Sequence, residues 1–355
     1  MALLNADEYR QYVDAITVVQ LEDRPNEMAV LVLDSPSSSP SAVGSSSAAS
    51  SSSFSSPSPS QSSVPLNFIF VHGSCATMKQ FFPLIHLIHG RGHRCVAYDF
   101  VGCLFSPLSQ EWYDYSTDSL TADLYAFYRT YSLPDHQNIV IGHSFGSSQV
   151  MRLAAEYGRD AIRKREEREE QEGEKRENDD ENEKEASEKD TPLLLARPKI
   201  PHVDRIVLIG SAMFVQPPSL LFTLPVMVLQ WMQPMMRKTF LARAYHQETR
   251  AEVLEEAANS CDHNDMYMCK AFYRQFQWAP TDIITSVTTP ALLIHGASDN
   301  IVPLEGETGA RSLCSKLSNA ELYIVDKGAH QVMQERPDEC CDVIFKFLGK
   351  QSHES

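Results

Sequence analysis

Two hydrophobic rhythms alternate along this chain. Between residues 15 and 34, AITVVQLE and MAVLVLD are β-rich runs separated by the turn-forming cluster DRPN, which predicts a hairpin. Beyond Val64, LNFIFVHG is a continuous apolar run ending in glycine, the pattern of a strand buried on both faces. MKQFFPLIHLIHGRG then suits a helix with a glycine stop, and HRCVAYDF a second such strand. SLTADLYAFYRTY is amphipathic with a serine or threonine cap, QNIVIGHS is a strand, and FGSSQVMRLAAEYG is the helix after it. VDRIVLIGSA, PALLIHGAS and AELYIVDKGA are further strands of the buried type. Strands alternating with helices predict an α/β fold, a mostly parallel central sheet with helices on both faces.

Three segments break the rhythm. Residues 35–63 hold 18 serines in 29 positions, too little apolar surface to offset chain entropy, so a disordered loop is expected. From Asp160 to Asp190 there are 15 acidic and 8 basic residues, the composition of a solvated surface insertion. Met213 to Val287 lacks strand patterning and falls between two core strands, where a helical cap fits. The chain therefore divides into an N-terminal hairpin (1–34), a Ser-rich loop (35–64), a first part of the core (65–159), a charged insertion (160–199), a core strand (200–212), a cap (213–287) and a second part of the core (288–349).

Composition narrows the chemistry. A net charge of −16, from 31 basic and 47 acidic residues, argues against a nucleic-acid binder, which needs a basic excess. The eight cysteines form no CxxC pair and no zinc-ligand array, so no metal is expected and a reduced, intracellular compartment is the simpler expectation. MALLNADEYRQY has no basic region followed by a long apolar run and reads as a short lead into the first strand rather than a secretory signal.

The chemistry lies in Gly142-His143-Ser144-Phe145-Gly146, a G-x-S-x-G at the junction of a predicted strand and a predicted helix. That placement is the condition for a nucleophile elbow, in which Gly142 and Gly146 remove side chains from a turn too tight to hold them. A serine hydroxyl needs an adjacent base. His330, in a Gly-containing loop after the strand ELYIVD, is the candidate by position among 12 histidines. His72, His143 and His295 adjoin glycine turns and suit structural roles. The acid that orients the base is expected after the preceding strand, where PALLIHGASDNIVP places Asp299; Asp326, Asp282 and Asp262 are its rivals. The order Ser144, Asp299, His330 fits a strand–elbow–helix hydrolase. Two backbone N–H groups should form the oxyanion hole, one from Phe145 and one from Ser74, with the side chains at both positions only weakly constrained. No organic cofactor is implied.

VHGSCATMKQF, YDFVGCLFS, IGHSFGS, LLIHGASDNIVP and KGAHQVMQERP resemble the successive signature blocks of the α/β-hydrolase superfamily. They are most similar to its abhydrolase-domain and monoacylglycerol-lipase-like branch, whose members cleave small esters and lipids. The resemblance implies the α/β-hydrolase fold with a helical cap, and a serine esterase or lipase. Thioesterase, amidase or C–C hydrolase chemistry on the same fold, and a non-catalytic scaffold, are the competing functions. Leu104 stands where many relatives have the second glycine of D-x-x-G-x-G-x-S, and Ser-Cys-Ala-Thr follows His72-Gly73 in place of a glycine-rich run. In the cap, residues 217–236 are the most apolar stretch of the chain, interrupted by Pro217, Pro218, Pro225 and Pro234. A buried cap helix is the first expectation. The second is a face that lines an acyl tunnel or docks peripherally on a membrane, flanked by Trp231, Arg237, Lys238 and Arg243. A membrane-spanning helix, which the length of about 20 residues would allow, is disfavoured by the four prolines and by the position between core strands.

Overall fold

The computed structural model describes residues 4–36, 64–156, 202–213 and 220–350; the Ser-rich loop and the charged insertion lie outside the described residues. Eight strands are present among them: β1 (Ile16–Gln20), β2 (Glu27–Leu33), β3 (Leu66–Val71), β4 (Arg94–Tyr98), β5 (Gln137–His143), β6 (Arg205–Ile209), β7 (Ala291–Gly296) and β8 (Ala320–Val325). They form one sheet in the order β1-β2-β4-β3-β5-β6-β7-β8. β2 pairs antiparallel with β1 and with β4, and every other pairing is parallel.

The helices are α1 (Ala6–Asp14), α2 (Phe82–Gly90), α3 (Thr117–Tyr131), α4 (145–156), α5 (Val226–Ala244), α6 (Ala251–Asp262), α7 (Met266–Gln275), α8 (Thr281–Thr285), α9 (Ala310–Lys316), α10 (Val332–Glu335) and α11 (Pro337–Lys350). Strand alternation sorts the core into two layers. Ile69, Val71, Val140, Ile206 and Leu208 pack under Leu124 and Phe127 of α3 and Met151 of α4. Phe68, Phe70, Ile141, Val207 and Ile209 pack on the opposite face against Ile85 and Ile88 of α2 and Ile344 of α11. Both faces of β3, β5, β6 and β7 are thus enclosed, which is why those strands are apolar without alternation.

Three expectations change. The N-terminal lead is a helix: Asn5 caps α1 through a reciprocal box with Glu8, and Tyr9 and Tyr12 set their rings edge-on to Phe82 at 5.6 and 5.5 Å. β8 is an edge strand, not a fully buried one, and exposes Glu321 and Tyr323 on alternate positions. In the cap, α5 buries only Leu229 and Ala244 completely. The remainder of that helix is half-buried or exposed, because the body of the protein covers one side of it.

The parallel strands β3 to β8 run in one direction, so the loops that follow them share one rim of the sheet. This rim carries the turn after Val71, the loop from Asp99, the elbow at Ser144, Gly210, the loop after Gly296 and the loop after Val325. Ligands of open α/β sheets bind at such carboxyl-terminal rims. Between β6 and β7, the turn Leu220–Thr223 and α5 to α8 fold back over this rim. Phe222, Leu229, Met268 and Phe272 from them join the cluster that holds Phe100 and Phe145.

Candidate active site

Ser144 sits between the last residue of β5 and the first turn of α4 with φ 51°, a left-handed conformation that serine rarely adopts. Such a backbone costs about 1–3 kcal/mol and persists only where its surroundings enforce it. Here they do. Ser144 N donates to Ile209 O at 2.8 Å, and the Ser147 hydroxyl donates to Gly142 O at 2.8 Å. A Cβ on Gly146 would lie 2.2 Å from Val71 O and 2.5 Å from His72 O, and one on Gly142 would lie 2.6 Å from Ser147 N. Gly146 therefore passes the end of β3, and Gly142 the first turn of α4, too closely for any side chain, and the turn is forced tight enough to lift Ser144 above the sheet.

His330 and Asp299 form a buried pair. His330 Nδ1 lies 2.8 Å from Asp299 Oδ2, with the carboxylate side chain fully enclosed. The other carboxylate oxygen, Oδ1, accepts from Ile301 N at 2.8 Å and Val302 N at 2.9 Å. Burial pushes the Asp299 carboxyl up. The adjacent His330 imidazole, its hydrogen bond and the Val302 N–H outweigh burial and hold the carboxyl below the usual aspartate value. The rivals are elsewhere: Asp326 and Asp282 are exposed, and Asp262 pairs with Arg237.

The histidine lies beside the elbow. Ser144 N is bonded to the carbonyl of Ile209, and a Cβ on the next residue, Gly210, would fall 3.2 Å from His330 Nδ1 and 3.3 Å from its Cε1. Gly210 is at φ 56°, so both its conformation and the imbedded imidazole exclude a side chain there. The rings of His143 and His330 are 4.7 Å apart, and His143 Nε2 donates to His330 O at 3.0 Å. Burial, followed by the neighbouring imidazole, holds His143 well below the usual histidine value, so it is a neutral donor that fixes the His330 backbone. His295, likewise lowered by burial, donates through Nε2 to Val302 O at 3.2 Å.

His72 has a third structural task. Its Nδ1–H donates to Gly73 O at 2.8 Å, and its Nε2 accepts from Phe100 N at 2.9 Å. Asp99 accepts from Met78 N at 2.6 Å and Phe105 N at 3.2 Å. Together they tie the turn after β3 to the loop after β4. Within that loop Leu104 takes φ 26°, a strained conformation at the position where glycine is usual.

The tied turn presents Ser74. A Cβ on Gly73 would meet Ser144 Cβ at 3.3 Å, so the turn abuts the nucleophile. Among the described residues, neither Ser74 N nor Phe145 N donates a hydrogen bond to a protein acceptor. The cap holds this turn from outside: Asn264 Nδ2 donates to Cys75 O at 2.8 Å, and Tyr273 Oη lies 3.4 Å from Ser74 Oγ. The Phe145 ring, expected to be weakly constrained, is instead a packing hub. It is fully buried and meets Phe272 and Phe276 edge-on at 4.9 and 5.5 Å. Beside this aromatic cluster Ser144 is 6% and His330 3% exposed.

Sequence inspection missed Glu335. Its buried carboxylate accepts from Ala329 N at 2.7 Å, from His246 N at 2.6 Å and from the Thr249 hydroxyl. Gln331 N also donates to Ala244 O at 3.1 Å. The residues on both sides of His330 are thus clamped to the chain between α5 and α6. Glu335 also borders a groove of about 410 Å³ between α2, α6 and α11, and none of Ser144, Asp299 and His330 lines that groove. Among the described residues, no group of three or more His, Cys, Asp or Glu is placed to hold a metal.

An eight-stranded, mostly parallel sheet with a serine on a strained strand–helix turn defines the class, and residues 68–343 match the sequence profile of the alpha/beta hydrolase family. The chain belongs to that family. Among its relatives, Protein ABHD8 of Bos taurus is 25% identical over 284 residues, covering 79% of this chain and 55% of that protein. The chain thus spans about half the length of the curated relative it matches. Among solved structures, a thermophilic esterase from Thermogutta terrifontis superimposes with a TM-score of 0.64 at 12% identity, over 94% of this chain and 98% of the other. A bromoperoxidase from Bacillus anthracis gives 0.63 at 14% identity, over 94% and 99%. At these identities the structural likeness shows the fold.

Proposed function

We propose that this chain is a serine hydrolase that cleaves carboxylic esters with an apolar acyl group. The observation that carries it is the buried Asp299–His330 pair, 2.8 Å long, set beside a serine held at φ 51°. Ser144 Oγ attacks the ester carbonyl carbon while His330 Nε2 takes the hydroxyl proton. Asp299 keeps the other ring proton on Nδ1 and stabilises the imidazolium. The oxyanion falls to Phe145 N–H and Ser74 N–H, each donor contributing about 3 kcal/mol to the transition state. Collapse expels the alcohol, which takes the proton from His330 Nε2, and leaves an acyl group on Ser144. Water, deprotonated by His330, then releases the acid and restores the serine. The apolar preference rests on the cap residues Phe222, Phe272, Tyr273 and Phe276, whose rings contact one another and Phe145, the residue after Ser144.

A fluorophosphonate probe tests this directly. It should label Ser144 and no other serine, and Ser144→Ala should abolish both labelling and turnover of a p-nitrophenyl ester while the protein stays folded. Full turnover in that variant sinks the proposal. Folded wild-type protein that neither labels nor turns over ester belongs instead to the scaffold class.

A further inference from the structure

α5 is apolar on two opposite faces, and only one of them is used in packing. On the inner face Leu229 joins the cluster of Phe145, Phe222 and Phe272. On the outer face Met227 is 81%, Trp231 83% and Met235 58% exposed, with Val228 also exposed beside them. At 100° per residue, positions 227, 231, 235 and 238 fall within an arc of about 80°, so these side chains make one stripe. The stripe runs about 17 Å along the helix and ends at the exposed Lys238. Single exposed apolar residues are ordinary, whereas a contiguous row of large ones marks a contact surface.

The charge around the stripe indicates its partner. From Arg205 to Gln247 the sequence has no acidic residue in 43 positions, although the chain carries 47 acidic residues and a net charge of −16. The charged residues of α5 are Arg237, Lys238 and Arg243, all basic. Arg237 is paired with Asp262 of α6 and Arg243 donates to Asn300 O, so the apolar stripe ends at one exposed cation, Lys238. Its own polar atoms are few: the Trp231 indole N–H and the Lys238 ammonium. A specific protein interface would ask for about one hydrogen bond per 100–200 Å². A lipid surface asks for none, favours tryptophan at the headgroup level and lets lysine reach the phosphates.

We propose that the outer face of α5 docks this protein on an anionic phospholipid surface, with Met227, Trp231 and Met235 entering the headgroup–acyl boundary and Lys238 meeting the phosphates. Docking needs no turnover, so it stands or falls separately from the hydrolase assignment.

The test is flotation of the full chain with vesicles of phosphatidylcholine alone and of phosphatidylcholine mixed with phosphatidylserine. The wild type should float with the mixed vesicles. The triple variant Met227→Ser, Trp231→Ser, Met235→Ser should lower the floated fraction about tenfold or more, with an unchanged thermal melt. Lys238→Glu should weaken flotation on the mixed vesicles about fivefold and have less effect on phosphatidylcholine alone. Folded wild-type protein that stays at the bottom of the gradient, or a triple variant that floats as well as the wild type, overturns the proposal. A non-floating dimer that the triple variant dissolves into monomer assigns the stripe to a second copy of this chain, and likewise overturns it.

Discussion

Replacing Asp299 by asparagine separates its two jobs. One carboxylate oxygen accepts from Ile301 N and Val302 N, and the other holds His330 Nδ1. In Asp299→Asn the amide oxygen can keep the two backbone donors, which turns the NH₂ group toward His330. A donor then faces Nδ1, and the imidazole must move its proton to Nε2. In that tautomer it has no lone pair for the Ser144 proton. The equivalent tautomer fault in a serine-protease triad lowers kcat about 10⁴-fold, or about 5.5 kcal/mol. Stability should fall far less, by about 1–2 kcal/mol, because charge-assisted hydrogen bonds become neutral ones. Asp299→Ala is the contrast. It leaves Ile301 N, Val302 N and the His330 ring without their acceptor in a fully buried place. It should therefore lose activity and about 3 kcal/mol or more of stability. The assay is kcat/KM on a p-nitrophenyl ester, with the rate of fluorophosphonate labelling as a second readout and urea unfolding for stability. Asp299→Asn activity within tenfold of the wild type would refute the argument and leave Asp299 as a loop cap only.

The clamp on the His330 loop gives a second expectation. Glu335→Ala removes the acceptor for Ala329 N, His246 N and Thr249 and should cost about 3 kcal/mol in urea unfolding and about 10²-fold in kcat/KM. Glu335→Gln should recover part of both, and an active, fully stable alanine variant removes Glu335 from the account. Gly146→Ala puts a methyl 2.2 Å from Val71 O, a backbone atom, so it should fail to accumulate as folded protein, as read by its yield in the soluble fraction and its melt. For pH, burial lowers His72 to about 4, so its neutral form is favoured in the fold and its contribution is lost as pH falls from about 6.5 to about 4. Burial raises Asp99 to about 7, which works oppositely: the neutral acid is favoured, and stability from this group grows as pH falls from about 7 to about 4. Asp99→Asn deletes that compensation. Its unfolding free energy should drop about 4 kcal/mol more than the wild type's over this window, and parallel curves would discard the opposition.

What the sequence made legible depends on how many residues share a burden. β3, β5, β6 and β7 announce themselves because four to six successive side chains are enclosed, and enclosure on both faces leaves an unbroken apolar run. Ser144, Asp299 and His330 could be proposed from strand ends because a parallel sheet delivers its strand ends to one rim, and the Asp299–His330 pair does form there. Single-residue duties left no such trace. A buried Glu335 and a solvated glutamate are the same letter. The three donors that define Glu335 come from residues 246, 249 and 329, and only the fold brings them together.

α5 fails to read out for the opposite reason: too many of its residues are apolar. Periodicity finds a core-facing side by contrast with a polar one, and in VMVLQWMQPMMRKTFLARA the outward positions 227, 231 and 235 are as apolar as the inward 229. A pattern without contrast predicts burial all round, and the structure encloses only the inner side. The exposed excess therefore has no explanation in folding stability, since moving Trp231 or Met227 to a polar residue would cost the core nothing. A contiguous row of large apolar side chains at solvent positions is the pattern of a contact surface, which is what the proposed docking on lipid would use. The same helix places Leu229 in the cluster of Phe145 and Phe272, so its inner side is fixed by packing while its outer side is not.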